Sequence, residues 1–366
     1  MRRFLNCILP VVVTLFLSAC AESRTLHMTP PGETSGDSVE VFVATNRNSI
    51  SDPDQILRSP DTRHLRVEAR IPPIREVGTL SLPRGIVDPD RDFLANRVTE
   101  YPSDSTFFQE IRSRLASIPS EDREITLYVH GYNNTFAKGV MRIAQLDHDL
   151  ESAGILVHFS WPSAGTALGY AYDRDSVLFS RDALAEFLQS LAATGGRIVL
   201  VAHSMGAHLA MESLRQIEIL SPGWSSRNLS GAILLSPDID VDVFRSQVAA
   251  IQELPQPFVI FVSDQDRVLA LSSLISQSEG RLGRLTDPAE ISDLKVTVLD
   301  ISSFSTGLGH FSVSSSSALI RILQRLSQVD ASFSGEGSAA ASFPEGVVLT
   351  VQNVTSIILS PLANAN

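Results

Sequence analysis

Three side chains in this sequence have the types and the order needed for nucleophilic acyl transfer: Ser204, Asp266 and His310. A serine hydroxyl is a poor nucleophile at neutral pH and needs a base and an orienting acid. Ser204 lies in IVLVAHSMGAHLAM, where strand-like sequence runs into helix-like sequence with no linker. A serine at such a junction can simply cap the helix. Capping alone does not explain the small residues Ala202 and Gly206 on either side of it. A sharp strand-to-helix turn that exposes a nucleophile does, because its backbone leaves no room for larger side chains two positions before and after the serine. Asp266 follows the apolar run FVIFV, in SDQDRVL, and His310 follows KVTVLDI, in GLGHFSV. Each therefore stands just beyond a strand end. Taken alone, His310 could equally be a structural or surface histidine. Two other acids compete for the orienting role. Asp238 follows the preceding strand in LLSPDID, and Asp264 is two residues before Asp266.

Acyl transfer also needs two preplaced N–H donors for the tetrahedral oxyanion. The backbone of Met205 would supply one, at the start of the helix. The second is expected from LYVHGYN, where Gly131 allows close backbone approach and the Tyr132 N–H would face inward. His130 precedes the serine and is expected to hold this loop, with His203 structural beside the nucleophile. SWPSAG, with Trp161, leads to Tyr170 and Tyr172. These three aromatics are candidates for lining the substrate pocket, although Trp161 could instead pack in the core. The eight histidines form no H-E-x-x-H pair and the two cysteines no zinc site. The acids Asp238, Asp240 and Asp242 lack the glycine and distal glutamate of a calcium loop. No metal or cofactor is expected.

The elements that must position these residues follow from periodicity. From residue 121 short apolar strands alternate with helical patterns. Strands are expected at 125–129, 155–159, 198–201, 232–235, 258–262 and 296–299, and the last helix at about 312–326. Such alternation means βαβ crossovers and a mostly parallel sheet with helices on both faces. Before it, 39–120 reads as a β-rich extension with a strand at 39–44 and, more weakly, strands at 65–71 and 78–82, then a helix from 104 to 116. After it, 330–366 is rich in Ser, Ala and Gly and then turns apolar at 347–359. That tail could be an added hairpin or an unstructured end.

The N-terminus has another character. Arg2 and Arg3, an apolar stretch to Leu17 and then LSAC make a three-part secretory signal over 1–19, followed by a Pro/Gly/Ser-rich tether over 20–38. The LSAC ending resembles the bacterial lipobox, in which Cys20 would carry lipid. An ordinary signal peptide that happens to contain Cys20 is the plainer reading. Apart from Cys20 the only cysteine is Cys7, within the signal. Loss of 1–19 would leave 27 basic against 41 acidic side chains, a net charge of −14. Such a surface argues against nucleic acid as a partner and would not hold to anionic lipid by net charge alone. Attachment to the membrane would come through the N-terminal lipid. Ala21 is not the aspartate of an inner-membrane retention signal, which favours a periplasm-facing place on the outer membrane.

Several motifs occur in one order: VFVATNR, HGYNNTF, HFSWPSAG, YDRDS, AHSMG, LLSPDIDVDVF and SDQDRVL. Together they resemble a bacterial α/β-hydrolase family of formerly unknown function, from residue 41 to His310 and the helix after it. The resemblance implies an α/β-hydrolase fold and a metal-free serine hydrolase mechanism, and it supplies no substrate. Ala202 in place of a first glycine and the apolar tail depart from the pattern. The expected protein is an envelope-anchored serine esterase or lipase acting on a small-molecule or lipid ester. An acyltransferase using the same three residues, or a binding protein on a hydrolase scaffold, are the rival readings. Oligomeric state is not legible.

Overall fold

The computed structural model describes residues 25–33, 36–50, 57–152, 154–278, 280–304, 320, 346–351 and 354–359. Cys7, Cys20, His310 and all of the expected helix 312–326 except residue 320 lie outside them.

The strands are β1 (Asp37–Arg47), β2 (Arg58–Ile71), β3 (Leu94–Glu100), β4 (Glu124–Val129), β5 (Ile155–Ser160), β6 (Arg197–His203), β7 (Leu229–Leu235), β8 (Phe258–Val262), β9 (Val296–Asp300), β10 (Gly346–Val351) and β11 (Val354–Leu359). The helices are α1 (Asp104–Ser117), α2 (Phe136–Leu150), α3 (Tyr170–Ala192), α4 (Met205–Leu220), α5 (Trp224–Asn228), α6 (Val241–Ile251) and α7 (Arg267–Ser276). The strands form one sheet in the order β10-β11-β9-β8-β7-β6-β4-β5-β1-β2-β3. Every pair from β11 to β1 is parallel, and β10, β2 and β3 add antiparallel edges. This is an α/β-hydrolase fold.

Chain direction across the sheet explains where a site can form. From β4 the chain crosses through α2 to β5, on the β1 side. From β5 it returns through α3 over β4 to β6, and then proceeds through β7, β8 and β9 the other way. Right-handed crossovers running in opposite directions place α2 and α3 on opposite faces. The observed cores agree. Val41, Val43, Tyr128 and the α2 side chains Phe136, Val140 and Ile143 share one face. Phe42, Ala44, Leu127 and residues of α1, α3, α4 and α6 share the other. Connections leave β4 and β6 in opposite directions, so the loops at their C-terminal ends part and leave a crevice. Gly131 and Ser204 follow those two strands.

The N-terminal reading needs correction at three points. Residues 78–82 are not a strand; they belong to a loop whose Leu80 and Leu82 pack against the α2 face. The strand is instead β3, whose sequence LANRVTE is too polar to signal itself. It pairs with β2 near the sheet edge (Val67 opposite Val98), where few of its side chains need be apolar. Within the stretch read as a tether, the N–H of Thr29 donates to Ala95 O at 2.9 Å and that of Ala95 to His27 O at 2.8 Å. Those residues lie along β3 rather than hanging free, and β1 begins at Asp37. At the other end, β10 and β11 form a hairpin that continues the sheet beyond β9.

Candidate active site

Ser204 stands between β6 and α4 with φ 53° and ψ −123°, a conformation that L-residues rarely adopt. Its side chain makes no capping hydrogen bond to α4, so the plain capping role is not the one it plays. The turn is clamped from outside. The Ser204 N–H donates to Leu235 O at 2.9 Å, and Ser204 O accepts from Asp238 N at 3.1 Å and Ala207 N at 3.0 Å. The small neighbours have a steric reason. A Cβ on Gly206 would stand 2.2 Å from His130 O, a backbone atom that cannot move aside. Ala202 is fully buried and paired to Val129 and Leu234 in the adjacent strands.

The loop after β4 presses against this turn. A Cβ on Gly131 would meet His203 Nδ1 at 2.5 Å and Ser204 Cβ at 2.8 Å. His203 is buried there, against the loop and beside Ser204. The backbones of Tyr132 and Met205, the two expected N–H donors, thus belong to adjoining stretches of chain. The Tyr132 hydroxyl donates to Ala167 O, and its ring meets Tyr170 edge-on at 5.5 Å.

A buried polar network fixes the loop from beneath. Arg47, at the end of β1, donates from Nε to Ser160 Oγ at 3.1 Å, from Nη1 to Ser163 O at 3.0 Å and from Nη2 to Asn134 O at 2.8 Å. Burial lowers its pKa to about 10, and nearby Asp173 acts in the opposite direction. Asp173 accepts from Asn133 N at 3.1 Å, Ser163 Oγ at 2.6 Å and Ala164 N at 2.6 Å. Burial raises its pKa, and those bonds pull it back down. Beside Arg47, His130 stacks on Trp161, with ring centres 4.8 Å apart. The Trp161 Nε1–H donates to His130 O at 2.6 Å. Burial and the nearby Arg47 charge push the His130 pKa well below its ordinary value. A neutral, buried, hydrogen-bonded imidazole supports the loop and is poorly placed to serve as the base.

Trp161 therefore does not line a pocket: it is fully buried under the loop, its indole satisfied by a carbonyl. Tyr172 turns toward β2, where the Arg58 guanidinium sits 4.3 Å above its ring. Tyr170 remains at the crevice. Its hydroxyl lies 2.7 Å from Ser272 Oγ and donates to Asp238 Oδ2 at 3.1 Å.

The three competing acids differ in their surroundings. Asp264 is exposed and receives Gln265 Nε2 at 2.8 Å. Asp238 is buried against Arg281, with Nε 3.1 Å from Oδ1, and also accepts from Ser272 Oγ at 2.6 Å. Arg281 Nε is close enough for an ion pair without being aimed as a hydrogen bond. Asp266 is fully buried and caps α7, one oxygen accepting Leu269 N at 2.9 Å. Asp238 is thus committed to a structural ion pair. Asp266 is held rigidly at a strand end, and its cap uses one carboxylate oxygen. His310 and Cys20 are outside the described residues. Among the described residues no cluster of His, Cys, Asp and Glu could hold a metal.

Sequence reasoning gave Arg47, Asp173 and Arg281 no role. The first two stood in motifs, VFVATNR and YDRDS, whose purpose appears only when β1, β5 and α3 meet. Nothing in the sequence marks Arg281.

A sequence model of the family described as alpha/beta hydrolase of unknown function (DUF900) matches residues 106–327. No curated protein matches the chain. Among solved structures, the chain is similar to a thermostable esterase from Pseudomonas putida (12% identity, 75% of this chain and 81% of that one, TM-score 0.36). It is also similar to a predicted CIB-like hydrolase from Thermoplasma acidophilum (18%, 58% and 89%, TM-score 0.34).

Proposed function

From the premise that this chain belongs to the α/β-hydrolases of unknown function, we propose that it is a serine hydrolase of carboxylic esters. The observation that carries the reading is Ser204 at φ 53° and ψ −123°, uncommitted to its helix and touched by the Gly131 loop. Backbone strain of this kind costs about 1–3 kcal/mol. It has a use where a hydroxyl must be presented to a substrate.

In the proposed reaction Ser204 Oγ attacks the ester carbonyl as His310 accepts the hydroxyl proton. The N–H groups of Met205 and Tyr132 receive the oxyanion. The carbon–oxygen bond to the alcohol then breaks, and His310 returns the proton to that alcohol. Water, deprotonated by His310, releases the acid from the acyl-enzyme. Asp266 holds the imidazole in the required tautomer. Leu168, 98% exposed, and Leu271 and Leu274 on α7, 56% and 76% exposed, stand within two residues of Tyr170 or Ser272 along the chain. They favour an apolar acyl group. Anchoring through Cys20 at a bacterial membrane, facing the periplasm, belongs to the same proposal.

The test is reaction of the purified protein with a serine-directed phosphonate, together with hydrolysis of nitrophenyl esters. Labelling at Ser204, and activity that falls below about pH 6.5 as His310 protonates, are expected. No labelling and no turnover of any ester would leave a binding scaffold. Anchoring is tested separately: labelled palmitate should enter the wild type and not Cys20→Ala.

A further inference from the structure

On the α2 face of the sheet, away from α1, α3, α4 and α6, the loop after β2 folds back against α2. It is well held. Ile74 N donates to Asp90 O at 2.9 Å, Phe93 N to Ser81 O at 2.9 Å and Gly78 N to Asp149 Oδ2 at 2.7 Å. Between loop and helix is a cleft of about 450 Å³. Its lining runs against the character of the chain. In a protein of 41 acidic and 29 basic side chains, three cations gather here, Arg84, Lys138 and Arg142. The one carboxylate in the lining, Asp92, is turned to its own loop, accepting Ser81 Oγ at 2.8 Å and Asp88 N at 2.9 Å. Arg142 is set in place by Gln145 Oε1 at 2.7 Å. Arg84 is exposed and has no ion pair or hydrogen bond among the described residues. The rest of the wall is apolar. Leu80 and Leu82 form it, and Ile86 projects from the loop at 96% exposure.

We propose that this cleft binds the phosphate of an anionic phospholipid, with Ile86 entering the acyl region. Cations beside a protruding aliphatic side chain match the two layers of a membrane surface, charge outside and hydrocarbon beneath. A free phosphate would use the cations and leave Ile86 without purpose. The net charge of the chain predicts repulsion from such a surface, but local attraction acts within about one Debye length, roughly 8 Å at physiological salt. The other acids of this loop, Asp88 and Asp90, are not in the lining, and Asp88 lies 3.8 Å from Arg91, so the three clustered cations face the cleft. The inference does not depend on Ser204 chemistry.

The experiment is co-sedimentation of the full chain with vesicles of phosphatidylcholine alone or mixed with phosphatidylglycerol. Any lipid or apolar segment at the N-terminus binds both kinds, so their ratio reads the cleft. Each cation near the surface contributes about a fivefold effect. The wild type should prefer the mixed vesicles by about tenfold or more. Arg84→Glu and Lys138→Glu, each a change of two charges, should each lower that preference by at least about fivefold, and Ile86→Asp should weaken binding to mixed vesicles. Hydrolysis of a short soluble ester should not change. Arg97→Glu, on edge strand β3, is the control for net charge and should have little effect. Equal binding to both vesicles overturns the proposal, as does equal sensitivity to Arg97→Glu. Displacement by millimolar inorganic phosphate with no effect of Ile86→Asp would make this a free-anion site and overturn the lipid assignment.

Discussion

The guanidinium of Arg281 lies 3.1 Å from the carboxylate of Asp238, and both side chains are buried. The pair gathers the crevice around itself. Asp238 O atoms receive Ser272 of α7 and Tyr170 of α3, and the Asp238 N–H holds the Ser204 carbonyl. The turn at Ser204, the helix capped by Asp266 and the tyrosine packed on Tyr132 thus share one anchor.

This separates the two buried acids by experiment. Asp266→Asn keeps a capping oxygen, so stability should change by less than about 0.5 kcal/mol. Its kcat should fall by roughly a thousandfold or more, because the imidazole tautomer is lost. Asp238→Asn leaves Arg281 buried without its counter-charge, and should cost about 3 kcal/mol. The folded fraction should keep kcat within about tenfold of wild type. Nitrophenyl ester kinetics and urea melts of the two variants decide the matter. The reverse pattern would make Asp238 the acid.

The strain at Ser204 predicts a trade between stability and activity. Ser204→Gly should stabilise by about 1–2 kcal/mol, because glycine adopts positive φ freely, while abolishing esterase activity. Ser204→Ala should be equally inactive and gain no such stability. Gly206→Ala should cost more than about 3 kcal/mol, since its Cβ would meet the carbonyl of His130 at 2.2 Å. Thermal melts of the three proteins check the order.

Acid should destabilise the fold through two histidines. Burial lowers the His158 pKa to about 3 and pushes that of His130 well below the ordinary range. The folded state therefore binds fewer protons than the unfolded chain. Stability present above about pH 6.5 is lost as pH falls toward 3, by about 1.4 kcal/mol per pH unit for each imidazole. His158→Asn keeps a donor for Tyr128 O, which His158 Nδ1 meets at 3.1 Å. It should flatten the slope between pH 6 and 5 in denaturant titrations. An unchanged slope would show that His158 does not carry the effect.

Asp147 acts with the opposite sign. Burial raises its pKa to about 6. The stability it contributes below its unfolded pKa is lost as pH rises through 6. Asp147→Asn should therefore stabilise the protein at pH 8 by about 2 kcal/mol and have little effect at pH 4. Denaturation midpoints at those two pH values measure it.

The turn at Ser204 was legible from residues 198 to 211 because strand-like sequence, a serine between small residues and helix-like sequence follow one another within one short stretch. Small residues at Ala202 and Gly206 mark such a turn in the sequence, although the atom that excludes a Cβ at Gly206 is His130 O, brought there by β4. The strands β4 to β9 were legible for a related reason, since strands buried on both faces must be apolar throughout. Edge strand β3 escaped notice because its polar sequence is what an edge permits, and the 78–82 run misled because Leu80 and Leu82 pack on α2 without pairing in the sheet.

Sequence by itself determined the chemistry-bearing types, their order and the local turn that presents Ser204. Tertiary structure decided which neighbours restrain them. Trp161 is beneath the loop because His130 O takes its indole N–H. Arg47 and Asp173, 126 positions apart in the chain, steady one loop because β1 lies beside β5 and α3 crosses above. Asp238 and Asp266 look alike in sequence, each an aspartate just past a strand. They part company only where Arg281 arrives. A buried charge is defined by what is brought against it, and no spacing along the chain encodes that.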